Sequence, residues 1–154
     1  MIFFARFLVP SDLKKIQKKL KPNPRNVKLA LGRTAEFLLD RIQTRTRKGK
    51  DADNKPFKSY TKDYKEFRKQ AGYPVRPDLT FSGNMLSNMT QKHNNKTALL
   101  YFASKFENAK AVGNQVKNKR RFFLIGDKEQ KTLINFFAKE LFKLNKITWV
   151  IEKT

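Results

Sequence analysis

Two clusters of turn-forming residues between Arg47 and Leu86 place the strongest constraint on what this chain can fold into. Gly49–Phe57 is a polar turn that ends in an aromatic residue, and Leu79–Leu86 places a Ser-Gly step among apolar residues. The segment between them is rich in large rings, which are expected to pack rather than to remain in water: Tyr60, Tyr64, Phe67 and Tyr73. The stretch therefore predicts two defined turns on either side of a packed segment.

Regularly spaced apolar residues predict two long amphipathic helices, one near residues 26–46 and a C-terminal one near residues 128–144. The first repeats its apolar residues every three to four positions: Val27, Leu31, Ala35, Leu38 and Ile42. The second has a wider apolar stripe: Leu133, Ile134, Phe136, Phe137, Leu141 and Leu144. Asp127, with Gln130 three residues later, predicts a capping box at the start of the second helix.

The remaining segments predict short strands and shorter helices. Strands are expected within residues 1–10, 97–103 and 147–151, and less regular helices within 11–20, 60–70 and 105–116, whereas residues 79–90 fit either state. This order lacks a regular βαβ alternation, which favours an α+β fold with a small, mainly antiparallel sheet. No repeat or long linker divides the chain, so residues 1–154 are expected to form a single domain with a basic loop near 47–58.

The composition argues against most common catalytic and metal-binding sites. The chain has 154 residues, is 39% hydrophobic and contains 14 Phe, which is enough to build a core. It has no Cys, which excludes disulfides, Cys-ligated zinc and a thiol nucleophile, and a single His, which argues against His-rich metal sites and Ser-His-Asp triads. We therefore expect no catalytic, cofactor or metal site.

The net charge of +22 predicts attraction to nucleic acid, acidic membranes or an acidic protein. The excess is mostly Lys, with 25 Lys against 10 Arg, scattered along the chain. The apolar N-terminus is interrupted by Arg6 and ended by Pro10, well short of the ~20 residues of a membrane span, so no membrane partner is expected. A basic nucleic-acid-binding module remains the alternative interpretation, with these candidate phosphate contacts: Arg45, Arg47, Lys48, Lys50, Lys119, Arg120 and Arg121.

Two short polar segments could be taken for functional sites, but each has a simpler structural interpretation. Asp51–Asn54 looks like the opening of a calcium loop, but Pro56 and Lys62 stand where the pattern needs Gly and Glu, so a solvated turn is expected. His93 lies in a polar turn without an acidic neighbour, which predicts a surface histidine.

A metal-dependent nuclease is a third hypothesis. Pro77-Asp78, followed by Glu129-Gln130-Lys131, loosely resembles the PD…ExK arrangement that cuts phosphodiesters. That arrangement needs its Glu on a strand, whereas Glu129 falls in the first turn of the predicted C-terminal helix. A carboxylate there is expected to interact with the helix dipole instead.

Three patches carry a resemblance to a known family. GKDADNKPF, at residues 49–57 after the first long helix, is similar to a D-x-x-G-K-P-W/F turn with Asn54 in the position of Gly. LTFSGNML, at 79–86, is similar to L-x-x-(S/T)-G-x-(M/L)-(L/R), and residues 109–126 are similar to A-x-x-H-Q-x-G…R-P-F-L-G, with Phe122 in the position of Pro. In order and spacing, across residues 11–145, these patches resemble the bacteriophage virion-morphogenesis or tail-completion proteins.

The resemblance implies a non-enzymatic structural subunit of a head–tail connector, neck or tail terminus that assembles as a ring or collar during virion morphogenesis. The implied partners are other copies and other virion proteins, such as tail tube, connector or neck components, and the implied location is the virion, after assembly in the host cytoplasm. The implied contacts lie in loops 47–58 and 117–126: Arg47, Lys48, Lys50, Pro56, Phe57, Lys119, Arg120, Arg121 and Phe122.

The small number of acidic residues bears on how such a ring forms. With only 13 acids, a basic loop on one copy finds little acidic surface on the next. Contacts between copies are therefore expected to be hydrophobic, or the basic loops to meet an acidic heterologous partner, with DNA as a third option.

Overall fold

The computed structural model describes residues 4–8 and 22–145, and their arrangement confirms the α+β fold. The strands are β1 (Phe4–Leu8), β2 (Met89–His93) and β3 (Thr97–Phe102). The helices are α1 (Pro24–Arg47), α2 (Lys62–Gln70), α3 (Asn84–Ser87), α4 (Lys105–Val112), which continues as a π-helical turn over Gly113–Lys117, and α5 (Asp127–Leu144).

The three strands form one antiparallel sheet in the order β1-β3-β2, as the sequence predicted for a small sheet. β3 is central, with Leu100 opposite Ala5 of β1 and Gln91 of β2. Successive side chains of a strand point to opposite faces, so Ala98, Leu100 and Phe102 all lie on the buried face of β3. This face packs against α1.

Helix α1 is the central element of the core, and its bounds agree with the predicted 26–46. Asn23 accepts a hydrogen bond from the backbone N–H of Arg25 at 2.9 Å, and Pro24 takes the first helical position, where no N–H is needed. The predicted apolar stripe is buried along its whole length. The helix ends before Gly49, which adopts the left-handed conformation with φ of 74°.

β2 packs closely on α1 through His93, which corrects the expectation of a surface histidine. The imidazole is partly buried, and Nδ1 lies 2.8 Å from Oε1 of Gln91. A Cβ on Gly32 would lie 2.7 Å from Nε2 of His93. A glycine in the middle of α1 therefore allows the ring to approach the helix backbone.

The start of α5 differs from the predicted capping box. Gly126, not Asp127, is the N-cap residue, and its carbonyl accepts from the backbone N–H of Gln130 at 2.8 Å. Asp127 is the first helical residue, and no side-chain cap forms. The wide apolar stripe is partly covered within the chain, because Phe136 stacks on Phe37 of α1 with ring centroids 4.3 Å apart.

The shorter predicted elements are present wherever the structure describes them. Residues 79–90, which fitted either state, contain the short helix α3 followed directly by β2. The predicted helices within 60–70 and 105–116 are present as α2 and α4 with its π turn. The predicted helix within 11–20 and the strand within 147–151 lie outside the described residues.

Candidate interaction surface

The loop 47–58 is a compact turn held by its own backbone. Two residues adopt the left-handed conformation, Gly49 and Asn54, the latter with φ of 64°. The backbone N–H of Phe57 donates to the carbonyl of Gly49 at 2.8 Å, and Oδ1 of Asp51 accepts from two backbone N–H groups, those of Asp53 and Lys55. Asn54 therefore adopts the left-handed conformation that Gly supplies most readily and that Asn tolerates.

Loop 47–58 packs directly on the segment 117–126, although about 70 residues separate them. The backbone N–H of Ala52 donates to the carbonyl of Arg121 at 3.0 Å, and Arg121 pairs with Asp53 at 3.1 Å. A Cβ on Gly126 would lie only 2.2 Å from the carbonyl oxygen of Ala52. The first and third patches of the resemblance thus form one surface.

Arg45 joins this surface to α1 and α5. Its guanidinium donates to both carboxylate oxygens of Glu129 and to the backbone carbonyls of Phe122 and Leu124. Burial lowers the pKa of Arg45, an effect that the adjacent carboxylate of Glu129 opposes. Arg45 is committed to these internal contacts and only 12% of its side chain is exposed, which corrects its assignment as a phosphate contact.

The predicted contact residues divide into exposed and buried groups. Exposed side chains, which remain candidates, are Arg47, Lys48, Pro56, Lys119 and Arg121, with Lys50 partly exposed. Phe57 and Phe122 belong to the hydrophobic core, with 7% and 0% exposure, so neither offers a contact surface. Phe122 is buried because it packs against Phe102 of β3. Arg120 is also buried, at 8% exposure, and lies in a pocket described below.

The second patch is fixed to the same end of α1. Gly83 adopts φ of 75° as the N-cap of α3, and the side-chain amide of Gln43 donates to the carbonyl of Leu86 at 2.8 Å. Leu79, at the start of the patch, also has a positive φ of 55°, which is uncommon for a residue with a branched side chain. All three patches therefore surround the C-terminal half of α1.

Arg68 of α2 organises the aromatic segment between the first two patches. Its side chain is 1% exposed and donates to Oδ1 of Asp78 at 2.9 Å and to the carbonyl of Pro74 at 2.7 Å. Its guanidinium also lies over three tyrosine rings, at 5.1–6.0 Å from their centroids: Tyr60, Tyr64 and Tyr73. Nothing in the sequence pattern indicated that an arginine would be the buried residue of this helix.

The carboxylates of the nuclease hypothesis are both engaged in these ion pairs. Asp78 is paired with Arg68 and also accepts from the backbone N–H of Thr80, while Glu129 is paired with Arg45. The two belong to different buried clusters. Their positions give no support to a shared metal site.

An exposed aromatic cluster, formed by Phe67, Tyr73 and Phe81, lies beside Arg68. The ring of Phe81 is 5.9 Å from Phe67 and 4.8 Å from Tyr73, and all three side chains are 38–49% exposed. Val75, 45% exposed, follows Tyr73 closely in the chain. The expectation that Phe67 and Tyr73 would be packed away from water is wrong, because Arg68 occupies the buried position of α2. The sequence feature that could have indicated this exposure is the high content of aromatic rings in the segment, together with few aliphatic residues to bury them.

A pocket of about 640 Å³, here called the Arg120 pocket, opens beside the aromatic cluster. Its walls come from residues 58–61, from α2 and from the second and third patches, and they include the rings of Tyr64 and Phe81. The Arg120 guanidinium lies over the Tyr60 ring at 4.9 Å. Burial lowers the pKa of Arg120 and raises the pKa of Tyr60.

Within 4–8 and 22–145, no group of three or more His, Asp or Glu is placed to hold a metal ion. Nor does this part of the chain contain a helix long and apolar enough to cross a membrane. Comparison of the chain with protein-family models, with curated proteins and with solved structures found no match.

Proposed function

We propose that this protein is a structural subunit of a phage head–tail connector, neck or tail terminus, which acts by assembling as a ring or collar during virion morphogenesis. Its role is non-catalytic, its site of action is the virion, and it is made in the host cytoplasm. The proposal combines the resemblance of the three patches with their convergence around one end of α1.

The exposed aromatic cluster is the observation that carries an assembly role. Contiguous apolar rings on a surface mark protein contacts, and aromatic residues are enriched in the buried centres of interfaces. Phe81, in the second patch, packs against both Phe67 and Tyr73, which lie in the segment that joins the first two patches. The cluster replaces Phe57 and Phe122 as the proposed apolar contact.

The charged loops supply the rim of the proposed interface. Arg47, Lys48, Lys119 and Arg121 are exposed, and the packing of Ala52 on Arg121 brings the two basic loops together. A chain with 13 acids against 35 basic residues offers such a rim few partners on another copy. The aromatic cluster is therefore proposed for contacts between copies, and the basic rim for an acidic virion protein.

Deletion of the gene from the replicon that carries it tests the proposal. Electron microscopy of the resulting lysate is expected to show heads and tails that fail to join, with infectivity restored by the wild-type chain. A variant with Phe67→Ser and Phe81→Ser is expected to fold but not to restore infectivity. Leu29→Ser and Phe106→Ser, which alter two exposed apolar residues outside the cluster, provide the control. A normal yield of joined particles after deletion would contradict the proposal.

A basic nucleic-acid-binding module is the second candidate, favoured by the joining of the two basic loops. Neutralising Arg47, Lys48, Lys119 and Arg121 together should then abolish salt-dependent binding to duplex DNA. Light scattering at low and high salt, with absorbance at 260 and 280 nm on the same peak, separates the two candidates. Nucleic acid that co-purifies and leaves only as salt rises supports this second candidate.

A further inference from the structure

Arg120 differs from the other strongly buried arginines of the described residues because it has no carboxylate partner. Arg45 pairs with Glu129 and Arg68 with Asp78. Arg120 is 8% exposed, its Nη1 donates to the amide oxygen of Asn114 at 3.1 Å, and its buried Nε has no hydrogen-bond partner. A desolvated cation without a counter-charge is unfavourable, so an anion at this position would be bound strongly.

The walls of the Arg120 pocket reinforce this positive field. None of the described lining residues is acidic. Four of them are lysines: Lys58, Lys110, Lys117 and Lys119. Lys110 is partly neutralised by Glu107, at 2.9 Å, whereas Lys58 and Lys119 are exposed. The field inside a concave, partly water-excluded site exceeds that of the same charges on a flat surface.

We propose that the Arg120 pocket binds a carboxylate side chain from an acidic segment of a protein partner. A guanidinium presents a planar fork that matches a carboxylate, and the two other strongly buried arginines of the described residues, Arg45 and Arg68, are both paired with a carboxylate. A side chain can enter a pocket of about 640 Å³ as a single projecting group.

A nucleic acid fits the same position less well. Its phosphates form a continuous backbone that is contacted by exposed cations along a groove. The Arg120 guanidinium is enclosed, and the neighbouring aromatic rings pack against one another: Phe81 contacts both Phe67 and Tyr73. An enclosed guanidinium is therefore better placed for one projecting carboxylate than for a phosphate backbone.

The position of the pocket relates the partner segment to the proposed assembly surface. Phe81 belongs both to the pocket wall and to the exposed aromatic cluster, so the segment that places an acidic side chain on Arg120 borders the surface proposed for contacts between copies. Identifying this segment as part of a neighbouring virion protein rests on the proposed function. The inference that the pocket binds a carboxylate does not depend on the proposed function.

Fluorescence anisotropy with a labelled octaglutamate peptide tests the proposal on the full-length protein, at about 0.15 M salt. Arg120→Gln is expected to weaken binding about tenfold, since it removes the buried charge-assisted contact. Arg121→Gln removes the same charge from an exposed neighbour that does not line the pocket, and is expected to weaken binding less than about twofold. An octaglutamine peptide should not bind.

A second pair of variants separates binding from folding. Lys58→Gln with Lys119→Gln alters two exposed residues of the pocket, and Lys28→Gln with Lys131→Gln alters two exposed residues elsewhere. Both pairs remove the same net charge from the protein. Octaglutamate binding by the Lys58→Gln, Lys119→Gln variant is expected to be more than about threefold weaker than binding by the Lys28→Gln, Lys131→Gln variant.

Three results would overturn the inference. Equal losses for Arg120→Gln and Arg121→Gln would indicate attraction to the net charge alone. Failure of the wild-type protein to bind octaglutamate would exclude the site, and tighter, Arg120-dependent binding of an oligothymidylate would assign the pocket to nucleic acid. Each leaves the infectivity test of the aromatic variants unchanged, so failure of the pocket and failure of the assembly role are distinguishable.

Discussion

Arg45 and Glu129 form a buried ion pair in which Nη1 of Arg45 donates to both carboxylate oxygens, at 2.6 and 2.7 Å. The pair joins the last turns of α1 to the first turn of α5, where the cation and the anion also complement the two helix dipoles. Because Nη2 of Arg45 holds the carbonyls of Phe122 and Leu124, the same guanidinium fixes the third patch in place.

Glu129→Gln is expected to reduce the free energy of unfolding by about 3–5 kcal/mol, because it leaves the Arg45 guanidinium buried without a counter-charge. Urea unfolding measures the loss. Glu140→Gln is the control: its partner Arg33 is 47% exposed, so that change should cost less than about 1 kcal/mol. Equal losses for the two variants would show that the buried Arg45–Glu129 pair stabilises the fold no more than the exposed Arg33–Glu140 pair does.

Gly126→Ala is expected to reduce the free energy of unfolding by about 1–3 kcal/mol, because its Cβ would collide with the carbonyl of Ala52. Hydrogen exchange at the amide of Ala52 should accelerate as the contact with Arg121 loosens. Gly113→Ala is the matched change, since no described residue beyond its chain neighbours and its own helical turn comes within 4 Å of a Cβ there. It should leave stability unchanged or raise it by about 0.5–1 kcal/mol. The contact between the two loops is refuted if Gly126→Ala behaves like Gly113→Ala.

Asn54→Gly is expected to preserve stability, whereas Asn54→Val should cost about 1–2 kcal/mol, because φ of 64° is accessible to Gly and strained for a β-branched residue. Thermal unfolding distinguishes the variants. Lys55→Val, at the exposed neighbour, should fall within about 0.5 kcal/mol of the wild type. Similar losses for both valine variants would point to β-branching in general rather than to the left-handed turn.

Stability is expected to fall as the pH rises above about 10, in part because burial raises the pKa of Tyr60. The unfolded chain then releases the Tyr60 proton at a pH at which the folded protein retains it, so deprotonation favours unfolding. Urea midpoints between about pH 9 and 11 measure this slope. The slope should be shallower in Tyr60→Phe, which has no hydroxyl to ionise. An identical slope in both proteins would exclude Tyr60 as a contributor.

The helices and turns could be predicted from the sequence because their determinants are local. The apolar spacing from Val27 to Ile42 located α1, and the polar cluster around Asn54 indicated a turn, in which this residue adopts a φ of 64°. The start of α5 was assigned to the wrong residue. Asp127 has the chemistry of a cap, yet it is the first helical residue, and Gly126, the N-cap, lies against the carbonyl of Ala52, which is distant in sequence.

The candidate site depended on contacts that the sequence does not display. Arg45 and Arg120 both looked like surface cations, yet one is neutralised by a carboxylate from another helix and the other lies in a pocket without one. Residue type predicts exposure only on average, because burial of a charge depends on which partner the fold brings to it.

The sequence by itself determined the fold class, the two long helices, the turn positions and the large positive charge, since these follow from residue type and short-range spacing. Only the tertiary structure decided that loops 47–58 and 117–126 meet, that Arg68 rather than Phe67 is buried in α2, and that Arg120 has no carboxylate partner among the described residues. The physical reason is that packing and charge pairing join residues that are far apart along the chain, and their energies depend on distance and desolvation in three dimensions.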